Sequence, residues 1–193
     1  MIRGGMAMTE AEVLNYIPEI NLIRSEDLRK KSIACWKQAL EEGGWEEKGV
    51  LNAPLAAGHV NDNCPEKSID HCRRVVRLCE TVWNELGEWA NKINQVDHDT
   101  LICGAVLHDI GKFLEYDLVD NKACASELSK YYSHVVAGAY IAKFNGLPDK
   151  IVHMILEHSD MQSPPCTYQY PELMMLKKLD HMCYMLAAMA YPV

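Results

Sequence analysis

The sequence predicts an all-α fold, and three observations support this fold class. Apolar residues recur every three to four positions through several segments, which is the period of an amphipathic helix. Serine, threonine or aspartate precedes most of these segments, and glycine or proline follows them, as at the two ends of a helix. No segment alternates apolar and polar side chains strongly enough to predict a β-strand, and no internal repeat is present.

The composition is that of an ordinary globular domain. The chain has 193 residues, of which 49% are hydrophobic and 24% are charged. The net charge of −8 disfavours duplex nucleic acid as a partner, since that partner needs a clustered basic face, and leaves a small-molecule substrate open. Neither a membrane-spanning apolar stretch nor an apolar leader is found, so we expect no membrane contact and a cytoplasmic protein. The eight cysteines lack Cys-x-x-Cys spacing and are interpreted as small, reduced core residues.

The first two predicted helices have clear boundaries. Thr9-Glu10-Ala11-Glu12 has the spacing of a capping box and begins a short helix that stops near Pro18. Ser25 caps a second helix, which ends at Gly43-Gly44. Residues 45–66 are rich in glycine, proline and asparagine and are predicted to be irregular.

The third predicted helix carries a histidine on its apolar side. Ser68 begins this helix, which runs to about Lys92. His71, Val75 and Leu78 repeat with helical period, so the imidazole points towards the core near the helix start.

The fourth predicted helix ends in an adjacent histidine and aspartate. Asp97 or Asp99 caps it, and its apolar run stops at His108-Asp109. A carboxylate buried at such a helix end needs a partner, and a bound cation is one of the few good ones. Gly111 suits the left-handed residue that commonly closes a helix.

The segment after this helix is predicted to be a connection followed by a fifth helix. Residues 113–132 are rich in Tyr, Asp and Ser and have the composition of a flap. Ser133 is predicted to cap the fifth helix, which places His134 in its first turn.

Two more helices complete the chain. Asp149 lies in the first turn of the sixth helix, and His158 lies at its C-terminal end. Residues 160–171 form a second loop with the composition of a lid. The last helix starts near Pro171 and carries Asp180 where the helical period calls for an apolar residue. A buried, unpaired carboxylate there would be a serious defect.

Four imidazoles and two carboxylates therefore stand at predicted core positions, each on a different helix apart from one adjacent pair. Nitrogen and carboxylate ligands that converge from several helices are how helical bundles build dinuclear metal sites. The six residues are His71, His108, Asp109, His134, His158 and Asp180.

The remaining histidines fit this pattern less well. His98, His153 and His181 are expected at the surface or in support of the ligands, and His153 is placed to hydrogen-bond Glu157. His59 lies in the irregular segment, where we expect a surface residue or a substrate contact.

The order His, His-Asp, His, His, Asp, with His108-Asp109-Ile110-Gly111-Lys112 at its centre, resembles the HD superfamily of metal-dependent hydrolases. The resemblance runs from about Ser68 to Ala188. It implies an HD-domain-like helical bundle with a core of about five helices. We expect residues 1–66 to form N-terminal helices and an irregular segment packed on a metal-binding domain of residues 67–193, the two together forming one compact unit.

The same resemblance implies a set of metal ligands. His71, His108, Asp109 and Asp180 would form the set shared across the family. In members with two metals, His134 and His158 complete a second site and the central aspartate bridges both ions. The presence of all six indicates two divalent transition metal ions, with Mn, Fe, Co, Ni or Zn suited to these ligands.

The expected chemistry is hydrolysis by a metal-bridged hydroxide. Two ions roughly 3.5–4 Å apart lower the pKa of a shared water and polarise the substrate oxygen. Asp109 and Lys112 are the predicted catalytic residues, with Lys112 neutralising a phosphate oxygen or orienting a carbonyl group. The leading function is a phosphohydrolase that acts on a small phosphorylated metabolite or nucleotide.

Two alternatives that use the same ligands remain open from the sequence. The same centre could open a cyclic ketone or amide by hydrolysis, or it could hold two irons for an oxygenase of the myo-inositol oxygenase type. A degenerate module used for interaction would require lost ligands, and none is lost. The Gly-Tyr-Pro signature of the cyclic-di-GMP phosphodiesterases is absent, and Tyr170-Pro171 does not replace it. The sequence does not indicate an oligomeric state.

Overall fold

The described part of the chain is mostly α-helical. A computed structural model describes residues 8–93, 95–120, 122–159 and 169–193. The helices are α1 (Glu10–Tyr16), α2 (Glu26–Glu42), α3 (Trp45–Lys48), α4 (Ser68–Ile93), α5 (His98–Leu107), α6 (Lys112–Glu115), α7 (His134–Phe144), α8 (Asp149–Glu157) and α9 (Pro171–Ala190). Short 3-10 turns span Pro18–Leu22, Val50–Asn52 and Leu128–Lys130, and strands β1 (Tyr116–Val119) and β2 (Lys122–Ala125) form one antiparallel hairpin. The predicted all-α class is confirmed.

Several helix starts follow the predicted capping residues. Thr9 and Glu12 form the capping box of α1. The Ser25 side chain accepts the backbone N–H of Leu28 at the start of α2, and Asp97, rather than Asp99, caps α5. Side-chain oxygens at these positions satisfy N–H groups that have no partner inside the helix.

Helix α5 is the centre of the packing. Every residue from Leu101 to Leu107 is buried, and the helix packs against α2, α4, α8 and α9. A helix that is apolar all round is stable only when other helices cover all its sides. The end of α5 therefore delivers His108 and Asp109 into the middle of the protein, where both are almost fully buried.

The N-terminal region covers one side of this core through two tryptophans. The indole N–H of Trp36 donates to the carbonyl of Val106 at 3.2 Å, and that of Trp45 donates to the carbonyl of Phe113 at 2.6 Å. Both indole rings meet the Phe113 ring edge-on. These contacts tie α2 and α3 to the segment that follows the His-Asp pair. The division of the chain at residues 66 and 67 stays a prediction.

Two regions predicted to be irregular contain regular structure. Residues 45–66 include α3, a 3-10 turn and one isolated bridge between Pro54 and Lys67. Residues 113–132 contain the end of α6 and the β1–β2 hairpin, so the expectation of no strands was wrong for this segment. A four-residue strand is too short for a clear alternating pattern, and its pairing depends on the turn between the strands.

The predicted role of Gly111 was wrong. Its φ of −69° and ψ of −15° are right-handed, so no left-handed closure occurs there. A Cβ atom on this residue would instead lie 1.9 Å from the carbonyl oxygen of His134 and 2.7 Å from the backbone nitrogen of Gly138. Glycine at position 111 therefore allows the backbone after the His-Asp pair to touch the backbone of α7.

Most described cysteines behave as core residues, as predicted. Six of them are buried, namely Cys35, Cys64, Cys72, Cys79, Cys103 and Cys183, whereas Cys124 is half-buried. Burial raises the pKa of the Cys72 thiol to about 12 and that of Cys103 to about 12, because the thiolate loses its hydration. Cys166 lies outside the described residues.

Within the described ranges, no helix combines the length and apolar character needed to cross a membrane.

Candidate metal centre

The first ligand group joins α4, the end of α5 and the middle of α9. It consists of His71, His108, Asp109 and Asp180, whose nearest ligand atoms all lie within 4.8 Å of one another. His71 Nε2 lies 2.8 Å from Asp180 Oδ1 and 3.5 Å from Asp109 Oδ2. His108 Nε2 lies 3.3 Å from Asp109 Oδ2 and 3.6 Å from Asp180 Oδ1. We call these four residues the first group.

The second ligand group joins the same aspartate to α7 and the end of α8. It consists of Asp109, His134 and His158, again within 4.8 Å. The Nε2 atoms of His134 and His158 lie 3.6 Å and 3.4 Å from Asp109 Oδ1. We call these three residues the second group.

Asp109 therefore faces the two groups with different oxygens. Oδ2 is the oxygen nearest to His71 and His108, and Oδ1 is the oxygen nearest to His134 and His158. A carboxylate placed in this way can bridge two cations, one through each oxygen. All six sequence-predicted ligands converge at this point of the fold.

Backbone carbonyl groups orient two of the four imidazoles. The Nδ1 atom of His108 lies 2.7 Å from the carbonyl oxygen of Ala105, and that of His158 lies 2.8 Å from the carbonyl oxygen of Ile155. In each case the carbonyl belongs to the helix that the histidine follows. A proton on Nδ1 completes these bonds, which leaves the lone pair of Nε2 directed at the carboxylates.

A carboxylate that the sequence reasoning missed orients the third imidazole. Glu115 Oε1 accepts the backbone N–H of His134 at 3.1 Å, and Oε2 lies 3.1 Å from His134 Nδ1. Ser133 provides no side-chain cap for α7, although the sequence predicted one, so Glu115 takes that role. Glu115 reaches His134 because it lies directly before the hairpin in the fold. No local sequence pattern predicts this contact.

The surroundings shift the pKa values of the buried groups in the metal-free protein. Burial opposes ionisation of Asp109 and Asp180, but nearby positive and hydrogen-bonding groups outweigh it. Lys112 and His108 hold the pKa of Asp109 well below its usual range, and the nearby imidazoles of His108 and His71 do the same for Asp180. Burial lowers the pKa of His158. A neutral His158 and ionised carboxylates are the forms that bind metal.

Three buried atoms in the cluster lack a hydrogen-bond partner, and this is the observation that fits a metal. They are His71 Nδ1, His108 Nε2 and Asp109 Oδ2. Polar atoms left unpaired in a protein interior are costly, and the last two of these point at the other ligand atoms. Imidazole nitrogens and carboxylate oxygens at this spacing are the donor set of divalent transition metals.

Lys112 lies beside the cluster, as the sequence predicted. Its Nζ is 2.7 Å from Asp109 Oδ2, which is an ion-pair distance without the geometry of a hydrogen bond, and its side chain is almost fully buried. Although burial opposes its charge, Asp109 raises the pKa of Lys112 above the ordinary lysine value. Lys112 therefore carries a positive charge at the edge of the first group.

A cavity of about 260 Å³ opens over both groups. Five of the six predicted ligands line it, together with Lys112. The cavity is also lined by His59, Tyr116, His181 and Tyr184. The placement of His59 favours the substrate-contact interpretation of this residue over that of a simple surface residue. His181 lines the same cavity while remaining exposed to solvent.

Two other histidines lie away from the cluster. His98 is buried, contrary to the surface alternative, and its ring nitrogens lie 2.6 Å from Glu80 Oε2 and 3.1 Å from Asp99 Oδ1. The Nδ1 atom of His153 lies 2.8 Å from the hydroxyl of Tyr170, so the expected bond to Glu157 is replaced by a contact with the segment before α9. The lid predicted at 160–171 lies outside the described residues, except for its last three positions.

A helical core that gathers four histidines and two aspartates around one cavity defines the class of α-helical metal-site domains. Within that class, the chain belongs to the HD domain family, whose model matches residues 68–185. The family expected from the order of the six residues is thereby confirmed. Members of this family are generally metal-dependent hydrolases.

One curated relative covers nearly the whole chain. Ribonuclease Y of Pseudothermotoga lettingae is 27% identical over 188 residues. The alignment takes in 93% of this chain and 32% of the relative, so the chain spans about a third of that protein's length. No solved structure matches the chain significantly.

Proposed function

We propose that this chain is a phosphohydrolase that uses two divalent transition metal ions to cleave a phosphate ester of a nucleotide or a small metabolite. The observation that carries the proposal is the position of Asp109 between the two groups. Its two oxygens face separate sets of imidazoles, which is the arrangement that a pair of ions requires. The name of the ribonuclease relative, which denotes cleavage of phosphate diesters in RNA, supports a phosphate ester as the bond.

The proposed ligands divide as the two groups do. His71, His108 and Asp180 would hold one ion, and His134 and His158 would hold the other, with Asp109 shared. When bound, the two ions supply Lewis acidity towards a phosphoryl oxygen and lower the pKa of a water. Manganese, iron, cobalt, nickel and zinc all suit these ligands.

Lys112 adds a positive charge to the lining of the metal-site cavity. A cation held at the edge of the first group is placed to bind a non-bridging oxygen of the phosphate and to stabilise the charge that grows on it during cleavage. Asp109 holds Lys112 in place through the ion pair and, in the same position, serves both groups. This arrangement gives both residues a role in the reaction.

Two histidines of the cavity that are not metal ligands can hold a proton. The leaving oxygen of a phosphate ester gains a proton as the bond breaks, and a positioned side chain accelerates that transfer. His59 and His181 also line the cavity, and imidazole is the side chain most often used for such a proton transfer. They are the residues that we propose for this step.

A substrate panel tests the proposal. The purified protein is loaded in turn with Mn²⁺, Zn²⁺, Co²⁺ and Fe²⁺ and offered phosphomonoesters, phosphodiesters, cyclic ketones and cyclic amides, with and without oxygen. We expect hydrolysis of phosphate esters, supported by Mn²⁺ or a redox-inert ion and independent of oxygen. Strict dependence on iron and oxygen would establish the oxygenase alternative, and turnover of the neutral rings alone would refute a phosphate substrate.

A further inference from the structure

A second cavity, larger than the metal-site cavity, adjoins the metal centre. Its volume is about 380 Å³, which lies within the range of sites that bind small molecules. The hairpin and the segment after α3 form its walls. Its apolar part is made by Pro54, Leu55, Ala57, Val60, Leu118 and Ala123.

The two cavities share a wall. Ala56 lines both of them. Tyr116 lines the metal-site cavity and Leu118 lines the second one, and these residues lie two apart on β1, on the same face of the strand. Leu118 is paired with Ala123 of β2, which lines the second cavity beside it. One face of the hairpin therefore leads from the metal site into the second cavity.

The rim of the second cavity is polar and of mixed charge. Asn52 and Asn61 contribute side-chain amides, and Lys67 and Lys122 contribute amines. Among the described residues, neither amine forms an ion pair with a carboxylate. Two carboxylates are also present on the rim. Glu66 is paired with Arg74 at 3.1 Å, whereas Asp62 is exposed at the mouth.

We propose that the second cavity binds the nucleoside that is attached to the scissile phosphate, an inference that rests on the proposed function. The apolar floor offers a surface for the flat base, and the two amides can hydrogen-bond its polar edge or the ribose hydroxyls. Lys67 and Lys122 are placed near the mouth, where a further phosphate of a longer chain would emerge. The metal centre then selects the phosphate, and this cavity selects what the phosphate carries.

The direct test uses adenosine, which has no phosphate to bind a metal. Saturation-transfer NMR measures its binding to the metal-free chain of residues 1–193 in the presence of a chelator. We expect a saturation signal with the unmodified protein and with Asp109→Ala. The signal should disappear with Ala123→Trp, because the indole fills the cavity from a half-buried position on the hairpin.

Matched variants separate cavity filling from damage to the hairpin. Val119→Trp adds the same indole to the other face of the hairpin, at an exposed position that lines neither cavity. It should keep the adenosine signal. Lys122→Ala should weaken binding of a diadenosine monophosphate more than binding of adenosine, and Lys130→Ala, on an exposed lysine away from the cavity, should change neither.

A kinetic measurement extends the test to the metal-loaded enzyme. Ala123→Trp should lower kcat/KM for a dinucleotide about tenfold or more and leave kcat/KM for bis(4-nitrophenyl) phosphate unchanged. An absent adenosine signal, a signal that survives Ala123→Trp, or an equal loss on both substrates would overturn the inference. If the unmodified protein hydrolyses neither diester, the proposed function fails, and the adenosine result still decides whether the cavity binds a nucleoside.

Discussion

The two ligand groups share Asp109 but are held in place by different means. The first group contains a second carboxylate, Asp180, and its residues are anchored in the long helices α4 and α9 and at the end of α5. The second group has no carboxylate of its own. It consists of histidines at a helix start and a helix end, and one of them depends on Glu115 for its orientation.

This difference predicts an order of metal affinity. Two carboxylates and two imidazoles give the first group more negative charge and more rigid support than the second. We expect the first group to keep an ion when the second has lost one.

The largest effect is expected from Asp109→Ala, which removes the residue common to both groups. Bound metal should fall from about two ions per chain to nearly none, and hydrolysis should fall to background, because each ion loses a shared ligand. Metal analysis and the substrate assay measure this result. The helical circular dichroism should stay largely unchanged, and Asp149→Ala, on an exposed aspartate at the start of α8, serves as the control. Activity with full metal content would show that Asp109 does not bridge.

The next largest effect is expected from His134→Ala and His158→Ala. Each removes a ligand of the second group only, so metal content should fall from about two ions towards one, with the first group still occupied. Titration with Mn²⁺ or Zn²⁺ followed by metal analysis measures the stoichiometry. As a control, His153→Ala changes a histidine of α8, the helix that His158 follows, and should leave the metal stoichiometry unchanged. Stoichiometry that stays at two in both variants would assign these histidines to the substrate instead.

A smaller effect is expected from Glu115→Gln. The amide keeps the shape of the side chain but loses the charge that favours a proton on His134 Nδ1, so the second ion should bind about 10- to 100-fold more weakly. Competition with a chelating indicator measures both affinities. The affinity of the first ion should not change, whereas a purely structural role of Glu115 would weaken both ions or neither.

The smallest effect is expected in the pH dependence of stability of the metal-free protein. Burial raises the pKa of Asp180 in the fold, but the nearby imidazoles of His108 and His71 outweigh it and lower that pKa. A lowered folded-state pKa stabilises the protein above the unfolded value of about 4, and this contribution is lost as the pH falls. From about pH 7 to about pH 3.5, the unmodified protein should therefore lose roughly 0.5–1 kcal/mol more than Asp180→Asn.

Urea unfolding with a chelator present measures this difference. The same comparison with Glu115→Gln should show a smaller effect, since Glu115 is only partly buried and its pKa is lowered less strongly. If the free energy of unfolding depends on pH equally in all three proteins, the charge of Asp180 does not stabilise the first group more than Glu115 stabilises the second.

Particular residues show where prediction from the sequence succeeded. His71, His108, His158 and Asp180 were found because each breaks or extends an apolar stripe of its own helix, which is visible within one helical window. Thr9, Ser25 and Asp97 were found because capping acts over three or four residues. Both kinds of signal are local.

Other residues show where it failed. Glycine at position 111 reads as a helix terminator, but it is required by the backbone of α7, which lies more than twenty residues further along the chain. Glu115 lies in a segment that the sequence predicts only as a connection, yet its side chain bonds His134, nineteen residues away. The hairpin was missed because four-residue strands are stabilised mainly by their pairing with each other.

The helical class, the ends of most of the longer helices, the six converging side chains and the family can be predicted from the sequence alone. These follow from periodicity, capping and the order of residue types, which are properties of the chain before it folds. Only the tertiary structure decided which oxygen of Asp109 faces which histidines, that Glu115 orients His134, and that a second cavity continues the first. Each of these depends on distances between residues that are far apart in the chain, and the packing of α5 against its neighbours sets those distances.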